Sequence, residues 1–476
     1  MKDIVGRVGV WAASAPAVWW ISLLAVILRL AKSSGGFSDD EVFDVFVASH
    51  PVAVIPSLLR NDFHPPFYFL LLHEWIRVSH SEIWVRLLSM TFGIAAVPMT
   101  YFLADRLASR RVAVVSALLV AISPYHITVS DSGKMYALVT VLALAIAWAL
   151  PEALDGHPKW WAAYALGALF LVYSHNLGAF VVLGTALWSL VVCVRGRRDL
   201  GWWLASHLLI LMGYLPWMPT LLHQAAPGSF LRGGVPRPTE YRAWSAAWYY
   251  WTTPYLLLSE PLRVKLTLPL FALVIVGLAR LRDYRPAILP LIALGAVPFV
   301  LAVVLGVMGF PVFLARALPS VSIALYICLA IGLLSLRRYL RGAATLVVGL
   351  LMFLSLTNYL RAPSEDWRAV AWYLHQHTAR KDVIAVSSEY YAAALGYYWT
   401  PPPRVIVWPA DLSAGKTPCG VWMVDKNGPA YDRSTYRVTL ARLFGEPRIV
   451  YVGTVPVIYY LRSTAPPDAR CRRGRS

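Results

Sequence analysis

The sequence predicts an α-helical, polytopic membrane protein that ends in a small α/β domain, and three observations carry that reading. The chain of 476 residues is 58% hydrophobic and only 14% charged, far too apolar for a soluble globular protein of this length. Apolar stretches approaching the roughly 20 residues that cross the hydrocarbon recur as far as Tyr359. Beyond Ala362 short β-branched runs alternate with helix-like ones, the pattern of an α/β domain.

In chain order, membrane spans are expected at 15–30, 83–104, 112–124, 135–150, 160–174, 177–194, 202–222, 262–278, 287–307, 318–336 and 343–359, about eleven transmembrane helices. The apolar stretch 67–76 is too short to cross and reads as a helix lying in or dipping into the interface. A formal net charge of +18 would suit a nucleic-acid binder, but the basic residues fall in short clusters between apolar stretches, as cytoplasmic loops do. No nucleic-acid partner is expected. With the N-terminus inside, the clusters Arg106/Arg110/Arg111, Arg195/Arg197/Arg198, Arg280/Arg282/Arg285 and Arg337/Arg338/Arg341 all fall on the cytoplasmic side. Residues 32–66, 125–134, 223–261 and everything after Leu360 then lie on the opposite face. Lys2 and Arg7 precede the first apolar run like the start of a signal peptide, but no small-x-small pattern follows before Ser38, so the first span is expected to stay.

The expected organisation is a transmembrane domain with outer-face loops over 1–361 and an extracytoplasmic α/β domain over 362–476, in a multi-pass protein of the cytoplasmic membrane. Within the tail, 368–378 reads as helix, and 383–386, 405–408, 421–424 and 449–452 read as strands. Cys193 and Cys328 lie in apolar segments and Cys419 and Cys471 in the tail; if the tail faces an oxidising compartment the latter two either pair or, so close to the basic C-terminus, stay reduced. No C-x-x-C spacing is present, and neither a metal nor another cofactor is expected.

The outer face gathers the chemistry. Asp39, Asp40 and Glu41 follow the first span, and acids at a membrane surface are functional-site candidates. His64 precedes a double proline, and Arg86, Asp131, Lys134, Tyr136, His175 and Arg316 lie on the same face. One carboxylate cluster among several cations suits transfer of a sugar from a phosphate on a lipid. The phosphate leaves as a stable anion that needs cations and no general acid, whereas the attacking hydroxyl needs one carboxylate as base. A glycosidase would instead flank the scissile bond with two carboxyl groups. Blander roles compete: the acids cap an interfacial helix, Lys134 and Arg316 snorkel to headgroups, and His64 and His175 are buried structural histidines. The aromatic run 241–251 is either an interfacial belt or a surface for stacking sugars, and Asp366-Trp-Arg368 closes the junction between last span and tail.

Taken together, the acids after the first span, His64-Pro-Pro-Phe-Tyr68, Arg86-Leu-Leu-Ser89, Ser130-x-x-x-Lys-Met-Tyr136, Arg316-x-Leu-Pro319 and Asp366-Trp-Arg-Ala-Val-Ala-Trp-Tyr-Leu374 resemble bacterial protein-O-mannosyltransferase-like proteins of the C-type glycosyltransferase superfamily. The lipid A aminoarabinose transferase is a more distant likeness. The resemblance covers nearly the whole chain in order and spacing. It implies an enzyme, a hexosyl- or pentosyltransferase, that takes a sugar from a polyprenyl-phosphate donor on the non-cytoplasmic face and passes it, with inversion, to a protein, lipid or polysaccharide acceptor. It also assigns roles: Asp40 is the base, with Asp39 as the fallback and Glu41 as a third catalytic candidate, and Lys134 and Arg316 contact the donor phosphate. Three positions depart from the family pattern. Asp131-Ser132 stands where Gln-Glu is common, Lys134 where arginine is usual, and Ala317 where tyrosine is common. A transporter or flippase for lipid-linked sugars would also need buried charges, although transporters pair interrupted helices near the midplane. An inactive homologue serving as partner subunit is the third reading.

Overall fold

The computed structural model describes residues 16–196, 200–226, 238–310, 312–379, 382–386, 388–399, 405–407, 420–424 and 448–461. Lys2, Arg7, Cys419 and Cys471 lie outside the described residues. The chain forms two compact units, Met1–Ser33 with Val47–Arg361, and Ser34–Phe46 with Ala362–Ser476.

The first unit is helical. It contains α1 (Pro16–Leu30) and, after α2 (Asp39–Ala48), which lies in the second unit except for its last two residues, α3 (Phe67–Ile76), α4 (Glu82–Leu107), α5 (Arg110–Ile122), α6 (Pro124–Asp131), α7 (Tyr136–Leu154), α8 (Pro158–Ser174) and α9 (Gly178–Gly196). After these come α10 (Leu200–Tyr214), α11 (Met218–Ala225), α12 (Tyr241–Thr252), α13 (Glu260–Arg280), α14 (Arg285–Leu291), α15 (Val297–Val307), α16 (Pro319–Ser335) and α17 (Arg338–Arg361). A π-helical turn, Ile292–Ala296, joins α14 to α15. Among the described residues, 7 helices are long and apolar enough to cross a membrane, or 8 if the bent pair α5 and α6 is one span. The expected spans at 15–30, 160–174 and 318–336 coincide with helices of 15, 17 and 17 residues, near the lower limit for a crossing.

Small residues set the tightest packing. A Cβ on Gly277 of α13 would strike the Cys328 carbonyl of α16, and one on Gly332 of α16 would strike the Leu273 carbonyl of α13. These two helices pack backbone to backbone, as membrane helices do where lipid provides no hydrophobic drive. Leu268, Phe271, Ile275 and Leu278 of α13 and Leu204, Leu208 and Leu211 of α10 remain exposed. Apolar faces of that extent suit contact with lipid.

The second unit holds a five-stranded sheet of β1 (Val383–Val386), β2 (Val405–Val407), β3 (Gly420–Val424), β4 (Arg448–Val452) and β5 (Val455–Leu461), in the order β2-β1-β3-β5-β4. β1 runs parallel to β2 and β3, and β5 antiparallel to β3 and β4. The wholly apolar β1 is buried along its length, as a strand packed on both faces must be. β4 and β5 join through Gly453-Thr454, and Gly453 takes the positive φ of +63° that such a two-residue turn demands. Helices α18 (Trp367–His377) and α19 (Glu389–Tyr398) complete the unit, N-capped by Asp366 and Ser388.

Candidate active site

Three of the sequence motifs meet in the membrane unit. The Tyr68 hydroxyl, on α3, lies 2.9 Å from the Ser89 hydroxyl of α4 and donates to the Gly133 carbonyl. Ser89 Oγ in turn donates to the Lys134 carbonyl at 2.7 Å. Tyr68 and Ser89 thus grip the backbone of the turn that carries Lys134, so HPPFY, RLLS and SDSGKMY have a common structural purpose. Gly93, one turn on in α4, makes room for the same loop: a Cβ there would overlap Ser130 Oγ and come within 2.6 Å of Ser130 Cβ. Gly93→Ala is therefore expected to cost about 1–3 kcal/mol. Its mark would be a lowered unfolding midpoint of the detergent-solubilised protein; an unchanged midpoint would contradict the crowding.

Around that loop the polar residues fall into two groups. In the first, the buried Asp62 carboxylate accepts a hydrogen bond from His64 Nδ1 at 2.9 Å. The His64 ring stands edge-on to His175, with centroids 5.4 Å apart, and His175 lies 5.9 Å from the Tyr136 ring. Burial alone would raise the Asp62 carboxyl, but His64, Lys134 and the Phe63 N–H together hold it below the ordinary carboxylate range. His175 moves the other way. Burial first, then His64 and Arg316, push it well below its usual value against the pull of Asp62, so it is neutral at physiological pH. His64, Lys134, Tyr136, His175 and Arg316 are thereby brought into one electrostatic neighbourhood, together with Asp62, which the sequence reading did not single out.

Backbone ties hold this group. Asn176 Nδ2 donates to the Phe63 carbonyl at 2.9 Å and to Gln224 Oε1 at 3.0 Å, and Gln224 Nε2 donates to the Leu59 carbonyl at 3.0 Å. The loop carrying Asp62 and His64 is thus pinned to the end of α8 and to α11. Arg316 lies in a 3₁₀ turn, Ala315–Ala317, and its side chain is exposed. The Ala315 carbonyl accepts from Trp251 Nε1 at 2.9 Å, which fixes the turn independently of the arginine side chain.

The second group gathers Arg86 and Asp131. Tyr359 donates its hydroxyl to Asp131, and Lys32 Nζ sits 2.9 Å from the Tyr359 carbonyl and 4.6 Å above its ring. Arg86 Nη1 donates to the Ser33 carbonyl at 2.9 Å. Arg29, fully buried in α1, donates through Nε to Ser130 Oγ at 3.1 Å. Tyr359 and Arg29 thus hold the Ser130-Asp131 end of the segment that leads to Lys134, and Arg86 ties the residues just after α1. The sequence carried a signal for Arg29, since a cation inside an apolar span is a feature in itself.

An apolar groove of ≈ 700 Å³ runs between α12, α13, the π turn, α15 and α16. Its wall on α13 extends from Val264 to Leu281, roughly 25 Å at the rise of a helix. Trp251 lines it and also donates through Nε1 to the Ala315 carbonyl, so one lining residue is bonded next to Arg316.

The three acids belong to the second unit, at the start of α2. Glu41 closes a capping box: its Oε2 accepts from the Ser38 N–H at 2.9 Å, and Ser38 Oγ accepts from the Glu41 N–H at 3.3 Å. Asp39 Oδ1 accepts from the Asp40 N–H at 2.9 Å. Asp39 and Glu41 are buried and Asp40 is half-buried. Among the described residues no cluster of three or more His, Cys, Asp or Glu could hold a metal ion.

No family model matches the sequence, and no curated protein matches it closely. Solved structures do resemble it. ArnT of Cupriavidus metallidurans, solved with bound undecaprenyl phosphate, superposes with a TM-score of 0.55 at 14% identity, over 98% of this chain and 100% of that one. The oligosaccharyltransferase AglB of Archaeoglobus fulgidus, solved with an inhibitory peptide and a dolichol-phosphate, superposes with a TM-score of 0.50 at 14% identity, over 96% of this chain and 75% of that one. The chain therefore has the fold of the polytopic C-type glycosyltransferases, the superfamily that its motifs resemble.

Proposed function

We propose that the protein transfers a sugar from a polyprenyl-phosphate donor to an acceptor hydroxyl on the non-cytoplasmic face of the cytoplasmic membrane, with its N-terminus inside. The observation that carries this reading is the meeting of an apolar groove with a cationic cluster. The groove suits a long prenyl chain, and Trp251, one of its lining residues, is bonded to the turn that presents Arg316. Arg316, Lys134 and the Asp62-oriented ring of His64 offer charge and hydrogen-bond donors to the phosphate. Both bound lipids in the two similar structures are polyprenol phosphates, which supports the same class of donor here.

The chemistry is a single displacement. The acceptor oxygen attacks the anomeric carbon, the bond from that carbon to the phosphate oxygen breaks, and the electron pair leaves with the phosphate. Arg316 and Lys134 stabilise the leaving dianion, and Asp40 takes the proton of the attacking hydroxyl. The configuration at the anomeric carbon inverts. Tyr136 and the neutral His175 are placed to contact the sugar ring or its hydroxyls. Asp131 acts by anchoring its segment to Tyr359, and Arg86 by holding the chain just after α1 through the Ser33 carbonyl.

Prenyl binding in the groove predicts a selective defect. Ile275, half-exposed on the groove wall, tolerates a larger side chain, and Ile275→Trp would narrow the groove below its midpoint. KM for a long-chain donor should rise roughly tenfold with kcat kept, the signature of lost uniform binding. A short-chain donor should keep its KM; equal effects on both would remove the prenyl chain from this groove. The function itself is tested with sugar-labelled polyprenyl phosphate and membrane extract. Transfer moves the label to a new product, whereas a flippase moves intact lipid across the bilayer and an inactive partner does neither.

A further inference from the structure

We propose that Glu365, just beyond α17, positions the base: its carboxylate fixes the first turn of α2 and with it the direction in which Asp40 is presented. This rests on the reading of Asp40 as the base. The observations all lie within the second unit, where Ser34–Phe46 packs as one body with the tail. Glu365 Oε1 accepts from the Asp39 N–H at 3.0 Å and from Trp367 Nε1 at 2.6 Å, so one oxygen joins the acid helix to α18. A carboxylate accepting two N–H groups makes charge-assisted bonds, and at a helix N-terminus it also meets the positive end of the dipole.

Neighbouring bonds leave the acid segment little freedom. The Trp367 N–H donates to the Phe37 carbonyl at 3.1 Å, the Phe37 N–H donates to the Tyr398 hydroxyl at 2.8 Å, and Arg368 Nη2 donates to the Ser34 carbonyl at 3.1 Å. Gly36 lies so close to the Asp366-Trp-Arg368 turn that a Cβ would overlap the Asp366 carboxylate and come within 2.8 Å of Arg368 Cβ. The Asp366-Trp-Arg motif, expected to close the junction after the last span, thus serves as the seat of the segment that carries the acids. Glu365 is the member of this set that reaches α2 itself. Asp39 then passes the restraint on, through its Oδ1 contact with the Asp40 N–H. An offset of an ångström between base and hydroxyl is enough to cost about 10²-fold in rate.

The test is steady-state transfer by the full-length protein in bilayer discs, with Asp40→Asn as the reference. Glu365→Ala should lower kcat about 10- to 100-fold with the KM for the polyprenyl-phosphate donor unchanged, and Glu365→Gln, which keeps an acceptor oxygen, should recover most of it. In the Asp40→Asn background Glu365→Ala should cost nothing more, because no base remains to be positioned. Wild-type kcat in Glu365→Ala, or equal losses in Glu365→Ala and Glu365→Gln, would overturn the proposal. If Glu365→Ala does not fold, Glu365→Asp keeps the charge but withdraws the oxygen by one methylene; it should lower kcat at least about fivefold, and an unchanged kcat would overturn the proposal equally. Normal turnover in Asp40→Asn would instead refute the identity of the base, an outcome separate from any effect at Glu365.

Discussion

Asp40→Asn should lower turnover by about 10²-fold or more while the affinity for the polyprenyl-phosphate donor stays within about twofold. The amide keeps the size of the carboxylate and removes its basicity, so any loss belongs to the proton transfer. Glu41 is spent on the Ser38 capping box, and Asp39 holds the Asp40 N–H. Both are buried, whereas Asp40 is half-buried. Asp39→Asn and Glu41→Gln are expected to act mainly on stability, through the cap, by about 0.5–2 kcal/mol. Stopped-assay turnover beside donor binding separates the cases. Near-normal turnover in Asp40→Asn would move the base to Asp39 or Glu41.

The second large effect is expected at Arg316. A phosphate leaving as a dianion depends on the cations that meet it, and removing one such donor typically costs 10²–10³-fold in rate. Arg316→Ala should therefore reduce kcat about 10²-fold and weaken binding of free polyprenyl phosphate. Its side chain is exposed, and Trp251 gives the turn a separate anchor at the Ala315 carbonyl. Arg316→Lys keeps the charge but loses the planar fork, so it should recover only part of the rate. The buried Lys134 is a poorer test, since its loop is packed between Tyr68, Ser89 and Arg29. Full activity in Arg316→Ala would leave that side chain as a headgroup anchor.

How legible this was from sequence follows the physics of each element. Helices were readable because apolar runs of membrane length have few other uses, although among the described residues 7, or 8 with the bent pair, are long and apolar enough to cross where about eleven spans are expected. The strands expected at 383–386, 405–408, 421–424 and 449–452 were readable because β-branched runs are short and flanked by breakers, and they appear at 383–386, 405–407, 420–424 and 448–452. β5 was not, since Pro456 argues against a paired strand. The motif residues were legible as a set, but their mutual contacts were not: Tyr68 meets Gly133, and Glu365 meets Asp39, across separations that no local pattern encodes. For the same reason the acid segment reads as a loop of the membrane domain, although it packs with the tail. Asp62 offered a weak signal, an acid two places before His64, and Asn176 only its position beside His175.

The most direct measurement is the stoichiometry and stereochemistry of one turnover, using donor labelled separately in the lipid and in the sugar. Wild-type protein should release one free polyprenyl phosphate for each sugar joined to the acceptor, with the anomeric configuration inverted, and Asp40→Asn should form both products more slowly by about 10²-fold or more. Retention of configuration, sugar leaving still attached to its phosphate, or label that crosses the bilayer on intact lipid would contradict a single displacement at this site.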